Sequence, residues 1–259
     1  MSEAVETKDI ALFVKDITKK CEENIYGKAS LSGISFSFEK KGIHGILAPK
    51  NSGKTQLMNI IAGCDGCDSG EIEIFGISAK DNIDAKKRIG YVQKYNVFYP
   101  NMTALETMNF VGETRRVESG KLYRQIKEAM ELVGIDGIKN KLVKNMTDHD
   151  VKKLSLAAAL LGNPDILLLD EIVIPRMSGD RKSELMGLIQ MLGRMKTVVL
   201  TTDDYKLARE LCDDIVIISD GCVLAKGSFE SLDEKLSRSE TPMSLEALYN
   251  SLASASAAN

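Results

Sequence analysis

The stretch Ala48-Pro49-Lys50-Asn51-Ser52-Gly53-Lys54-Thr55 constrains this chain more than any other. It reads as a phosphate-binding P-loop with one glycine replaced. Such a loop needs a strand that ends, backbone N–H groups that turn inward around phosphates, and a helix that begins at once. The flanks meet that need. Ile43, Ile46 and Leu47 make a short apolar strand, and Gln56-Leu57-Met58-Asn59-Ile60-Ile61-Ala62 reads as the helix. In this motif Lys54 reaches the β/γ-phosphates and the Thr55 hydroxyl ligates Mg2+. The pattern wants glycine where Ala48 stands. Asn tolerates positive φ better than most residues, so Asn51 keeps the loop shape at small cost. Gly53 is kept where the backbone must approach phosphate. A Gly-Lys-Thr turn that only caps a helix is the alternative, and the motifs further along weigh against it.

At 259 residues the chain is ample for one large α/β domain, or a core with a subdomain. A net charge of −3 gives no hint of nucleic acid binding. No apolar run approaches the ~18 residues that span a bilayer. The start, Met1-Ser2-Glu3-Ala4-Val5-Glu6, is acidic and polar, unlike a signal peptide. A membrane role must therefore come through a partner chain. Five cysteines, an odd count, suit a reducing cytosol. Cys64-Asp65-Gly66-Cys67 is a lone CxxC; zinc would need two more ligands, so a chance pair in a turn is the reading adopted, ahead of redox or metal chemistry.

Short apolar strands alternate with amphipathic helices, which predicts a mostly parallel sheet covered on both faces. The expected strands are Ile34–Phe38, Ile43–Leu47, Glu71–Phe75, Ile89–Gln93, Ile166–Leu169, Thr197–Thr201, Asp214–Ile218 and Val223–Lys226. Asp220-Gly221 marks a tight turn between the last two. From Thr103 to Leu161 the pattern is helical, which predicts a helical subdomain inserted into the α/β core. Ser251 to Asn259 are small and polar and are expected to fray.

Ile166-Leu167-Leu168-Leu169-Asp170-Glu171 is an apolar strand ending in two carboxylates, a Walker B pattern. Asp170 is delivered to the Mg2+ shell, and Glu171 can polarise a water for attack on the γ-phosphate. Taken alone, such an end serves equally to cap the next helix. About 110 residues after a P-loop, it makes a strong pair.

With both motifs in place the chain resembles the ATP-binding subunits of ATP-binding cassette (ABC) transporters, from roughly Asp9 to Leu252. Tyr26 stands where that family has its adenine-stacking aromatic, ahead of Leu31-Ser32-Gly33-Ile34-Ser35-Phe36. Ala62-Gly63 through Ser69-Gly70-Glu71-Ile72 follows the stretch after the P-loop helix. Arg88-Ile89-Gly90-Tyr91-Val92 leads into the glutamine loop, and Tyr99 through Glu106 is similar to the next segment. Leu211-Cys212-Asp213 and Gly221 through Gly227 resemble the closing strands. Ser244-Leu245-Glu246-Ala247-Leu248-Tyr249 is similar to the tail of cassettes that drive drug, lipid or polysaccharide exporters.

The resemblance implies an α/β P-loop NTPase core with an antiparallel β subdomain and an inserted helical subdomain. Residues 8–94 and 163–229 would form the nucleotide-binding core, 95–162 the helical part and 230–259 the tail. It implies ATP and Mg2+ held by Tyr26, by Ala48, Pro49, Lys50, Asn51, Ser52, Gly53, Lys54, Thr55 and Gln56, and by Lys94 in the glutamine-loop slot. Thr55 and Asp170 would be the metal ligands and Glu171 the catalytic base. It also implies head-to-tail dimerisation and docking on a transmembrane permease. The cassette would then be cytoplasmic, peripheral on the inner face of the membrane.

Several slots depart from the family. A second P-loop glycine is usual at Asn51. The signature motif Leu-Ser-Gly-Gly becomes Met146-Thr147-Asp148-His149-Asp150. A glycine pair there lets backbone and helix dipole approach the γ-phosphate. Asp148 places a carboxylate instead; two unit charges ~5 Å apart at an effective ε of ~20 repel by about 3 kcal/mol. Thr147 with Asp150 reads as a capping box, so the helix satisfies its own N–H groups. The switch histidine is replaced by Asp203. Of the two histidines, His44 lies on the strand before the P-loop and is expected in the core or at its edge. Lys94 fills the glutamine slot, with Gln93 before it. After Glu171 the chain runs Ile172-Val173-Ile174-Pro175-Arg176-Met177, where the family has an aspartate at the last position and Pro175 fixes a different backbone.

The parts that hold nucleotide within one subunit are kept, and those that meet the partner subunit are altered. The expectation is a MgATP-binding transporter subunit with weak or partner-dependent hydrolysis, in a heterodimer rather than a homodimer. A non-hydrolysing adaptor with a cassette fold is the alternative. A soluble P-loop kinase fits less well with the Tyr26 segment and the tail.

Overall fold

The computed structural model describes residues 9–20, 30–95, 98–173, 177–238 and 243–257. The elements in chain order are β1 (Ile10–Lys19), β2 (Leu31–Glu39), β3 (Gly42–Leu47), α1 (Lys54–Ala62), β4 (Ser69–Ile74), β5 (Ile77–Ser78), α2 (Ile83–Lys87), β6 (Ile89–Val92), α3 (Ala104–Thr114), α4 (Ser119–Leu132), α5 (Asp148–Leu160), β7 (Ile166–Asp170), α6 (Gly179–Met195), β8 (Thr197–Thr202), α7 (Tyr205–Leu211), β9 (Asp214–Ser219), β10 (Cys222–Gly227), α8 (Phe229–Ser237) and α9 (Leu245–Ala257).

The strands form two sheets. One has the order β10-β9-β3-β8-β7-β6, with every pair parallel except β10 on β9. The other, β2-β1-β4-β5, is antiparallel. Strand periodicity then splits the core. Leu167 and Leu169 of β7, with Val198 and Leu200 of β8, pack toward α3, α4, α5 and α6. Ile166, Leu168 and Val199 pack with α1 and the antiparallel sheet. Asp170 and Thr201 continue this second face, which carries them to the start of α1.

Two expectations need correction. β1 was not foreseen as a strand, because Lys15-Asp16 interrupts its apolar run. The structure absorbs the break as a register shift between Val14 and Ile17, with Asp16 at φ 50 and its N–H donated to Ser35 Oγ at 2.8 Å. Ser251 to Ala257 are not frayed: they continue α9, which runs to Ala257. Its Leu245 is fully buried and its Tyr249 nearly so, which anchors the helix that alanine and leucine favour.

Between Ala104 and Leu160 the described residues hold α3, α4, α5 and two single 3-10 turns, with no strand. The capping box at α5 is present: Thr147 Oγ1 accepts the Asp150 N–H at 3.2 Å, and Asp150 Oδ2 accepts the Thr147 N–H at 3.1 Å. His44 is buried, stacked on Phe38 and hydrogen-bonded to Asp214. Asp220 and Gly221 both take positive φ, 49° and 74°, in the turn between β9 and β10. Cys64 and Cys67 are free thiols, and no cluster of three or more His, Cys, Asp or Glu able to hold a metal exists among the described residues. Among those residues no helix is long and apolar enough to cross a membrane.

Candidate phosphate-binding site

The loop after β3 carries its special geometry at two positions. Asn51 sits at φ 61 and Gly53 at φ 88, both in the left-handed region. Ala48 is not among the positive-φ residues; it is fully buried in the core, and its N–H reaches Thr202 O at 3.2 Å. A methyl group is therefore tolerated where the pattern wants glycine. Gly53 is the N-cap of α1, and that terminus has no side-chain cap and no acidic residue in its first turn. Its N–H groups are left for something other than the protein's own side chains. Ser52 Oγ donates to Pro49 O at 2.7 Å and braces the loop. Lys50 is exposed, while Gln56 is buried with an unpartnered Oε1.

Lys54 is buried. Its Nζ donates to Ala48 O at 2.7 Å and to Pro49 O at 2.8 Å, and lies 3.7 Å from Glu171 Oε1. Burial pushes its ammonium pKa down, against the pull of the Glu171 and Asp203 carboxylates.

Asp170, the last residue of β7, is fully buried. Parallel register sets it against Thr201 of β8. Thr201 Oγ1 donates to Asp170 Oδ1 at 2.6 Å and accepts the Glu171 N–H at 3.1 Å, so one hydroxyl ties both acidic residues. Asp170 Oδ2 is buried without a hydrogen-bond partner. Burial pushes its carboxyl pKa up, with the Thr201 and Thr55 hydroxyls opposing. A buried carboxylate oxygen in need of a partner, near a threonine hydroxyl, is the hard donor set that Mg2+ takes alongside phosphate oxygens. These residues fit that ion.

Glu171 has φ 43, unusual for a non-glycine residue and a mark of local strain. Both its carboxylate oxygens meet lysines: Lys94 Nζ lies 2.9 Å from Oε2, opposite the Lys54 contact. Burial lowers the Lys94 pKa, but its hydrogen bond and ion pair with Glu171 outweigh that and raise it. Lys152 of α5 is also buried and donates to Lys94 O at 2.7 Å and Gln93 O at 3.4 Å. A cavity of about 280 Å3 opens between these groups, lined by Lys94, Tyr95, Asp148, Lys152 and Glu171 among others.

The start of α5 divides the two residues that replace the signature glycines. Asp148 is exposed, but His149 turns inward and is buried, its Nε2 3.4 Å from Glu184 Oε2 on α6. The departure from glycine thus presents one carboxylate outward, not a carboxylate and an imidazole. Asp203 follows β8, and its backbone carbonyl accepts the Tyr249 hydroxyl at 3.0 Å. Met177 packs against the helical side of the core. Tyr26 and Pro175 lie outside the described residues.

The family model for ABC transporters matches residues 31–173, more than half of the chain. This chain belongs to the ABC transporter family. The cassette is 30% identical over 220 residues to the linearmycin resistance ATP-binding protein LnrL of Bacillus subtilis (strain 168), covering 83% of this chain and 70% of that protein. Among solved structures, an ATP binding subunit of an ABC transporter superposes with a TM-score of 0.79 at 18% identity, over 93% of this chain and 99% of that one. The dimeric post-hydrolysis state of the ATP-binding cassette MJ0796, bound to ADP and Pi, gives 0.73 at 23% identity, over 84% and 98%. At those identities the two structures speak for the fold alone.

The cassette brings Lys54, Lys94, Asp170 and Glu171 into one network of charges, and the loop from Ala48 to Thr55 wraps beside it. Sequence reasoning missed Thr201 and Lys152. Thr201 is legible only once β7 and β8 are put in register. Lys152 carried no signal in the sequence beyond being a lysine within a helix.

Proposed function

We propose that this cassette binds MgATP and couples it to a membrane permease, with hydrolysis that depends on a partner cassette. The observation that carries the reading is the unpartnered Asp170 Oδ2 beside an uncapped α1, set against an α5 whose N-terminus is closed by its own side chains. Ala48 to Gln56 hold the phosphates, Tyr26 stacks on adenine, and Thr55 with Asp170 hold Mg2+. The ion, when bound, neutralises phosphate charge. Lys54 sets its ammonium against the β/γ-phosphates, and Glu171 accepts the proton of the attacking water. Lys94 stands at the γ-phosphate end.

In a heterodimer, a partner's intact signature completes the site on this P-loop. Asp148 makes the reciprocal site a poor one. Residues 8–94 and 163–229 grip nucleotide, 95–162 carry the helical part and 230–259 the tail. Tyr95, Tyr99 and Phe110 are large exposed aromatics, and Tyr95 with Phe98 helps to line a groove of about 160 Å3. This groove adjoins the Lys94 loop and is assigned to the permease, which holds the cassette at the cytoplasmic membrane face. The exporter branch rests on the Ser244–Tyr249 tail; LnrL's name, which ties that protein to linearmycin resistance, supports it.

The test is co-purification of the native complex, followed by ATPase assays with each cassette's Walker B glutamate changed in turn. A purified homodimer as fast as a full-motif cassette would sink the partner-dependent reading. One observation favours the adaptor alternative: both oxygens of Glu171 are engaged by lysines. A complex whose turnover ignores Glu171 altogether supports that alternative.

A further inference from the structure

Glu171 is placed to act as a base but is not free to do so. Its Oε2 is 2.9 Å from Lys94 Nζ, and its Oε1 faces Lys54 Nζ at 3.7 Å. A base must hold a water within about 2.6–3.2 Å; on Oε2 an ammonium already occupies that range. The main chain beneath the carboxylate is held: Glu171 sits at φ 43 with its N–H on Thr201. The loop that carries Lys94 is fixed as well. Buried Lys152, four residues along α5 from exposed Asp148, donates to the backbone carbonyls of both Gln93 and Lys94. The pair itself is half-open, with Lys94 33% and Glu171 22% exposed, so solvent screening keeps it weak enough to exchange. The cavity beside it leaves Lys94 room to move.

We infer that Lys94 is a latch on Glu171, opened by the γ-phosphate of ATP. The inference rests on the nucleotide-site reading above. A γ-phosphate brings more negative charge than one carboxylate and competes for Lys54 and Lys94 together. Its arrival draws Lys94 off Oε2 and frees that oxygen for water. ADP has no group to compete with, so the latch stays closed. Lys94 is thus a positioning residue for the base and a discriminator between ATP and ADP, set in place from α5 by Lys152.

The test is equilibrium binding of MgATP and MgADP to the purified chain and to Lys94→Met, Glu171→Gln and the double variant. Lys94→Met should weaken MgATP by about tenfold and MgADP by less than about twofold. Its effect on MgATP should be at least about threefold larger in the Glu171→Gln background, where no latch competes. Lys94→Ala, a truncation at a position that is 33% exposed, is the second variant and should reproduce the loss without loss of folding. Equal loss of both nucleotides, or the same Lys94 effect with and without the Glu171 carboxylate, overturns the latch. If the wild-type chain binds neither nucleotide, the nucleotide-site reading falls and takes the latch with it.

Discussion

Two helices begin at the edge of the parallel sheet's site, and their N-termini are built in opposite ways. At α1 the N-cap is Gly53 in the left-handed region, with no side-chain cap and no acid in the first turn. At α5 the N-cap is Thr147 in a reciprocal capping box, with Asp148 and Asp150 in the first turn. An α-helix leaves its first N–H groups without partners. α1 keeps them and adds the buried charge of Lys54; α5 satisfies one of them, the Asp150 N–H, with its own Thr147 hydroxyl and complements its dipole with its own carboxylates. The difference teaches how one fold separates gripping phosphate from closing over it. The first helix remains built for an anionic ligand, whereas the second has exchanged that capacity for local stability.

The sharpest way to break this comparison is to remove charge at each end. Lys54→Ala should weaken MgATP binding more than about 100-fold, since a buried charge-assisted contact is lost; Asp148→Ala should change it less than about twofold. Calorimetry on the two variants decides, and equal binding by Lys54→Ala and wild type would refute the site. Next in size, Glu171→Gln in the assembled complex should slow turnover about 100-fold or more. Unchanged turnover assigns hydrolysis to the partner.

Smaller effects sharpen the α5 side. Thr147→Ala should cost about 1 kcal/mol in denaturant unfolding. Asp150→Asn should show a pH signature. The Thr147 N–H and hydroxyl, with Lys141, hold the Asp150 pKa below its ordinary value despite partial burial. A depressed carboxylate contributes stability that is present above its unfolded pKa of about 3.9 and is lost as pH falls through the folded value. The stability gap between wild type and Asp150→Asn should therefore be full at neutral pH and shrink below about pH 4; a gap that is constant with pH contradicts the box. Smallest are the P-loop backbone variants. Asn51→Gly should be nearly neutral, Asn51→Ala should cost about 1 kcal/mol for positive φ, and Ala48→Gly about 0.5–1 kcal/mol with unchanged nucleotide affinity.

Local signals made most of the fold legible. β3, the P-loop and α1 form one continuous pattern, and the strands from β7 to β10 fall within a residue or two of their expected ends. β1 was lost because a bulge hides strand periodicity: Asp16 shifts the register by which alternation is recognised. In the site, Asp170 and Glu171 were visible from an apolar run ending in acid. Thr201, 31 residues from Asp170, and Lys152, 58 residues from Lys94, were not. Their roles come from strand register and helix packing, which no local pattern encodes. His149 shows the same limit: its slot was legible, but the inward turn of its side chain toward α6 was not.

The topology of β3 bears on how this protein comes into being on the ribosome. The strand that launches the P-loop pairs only with β8 and β9, among the described residues. Its neighbours are therefore made long after it, and at about 5–20 residues per second the wait is roughly 10–30 s. Throughout that interval a nascent chain carries Lys54 and Thr55 with no sheet beneath them. Translation must pass Thr202 before the loop has a floor, and Tyr249 before the segment after β8 receives its last hydrogen bond.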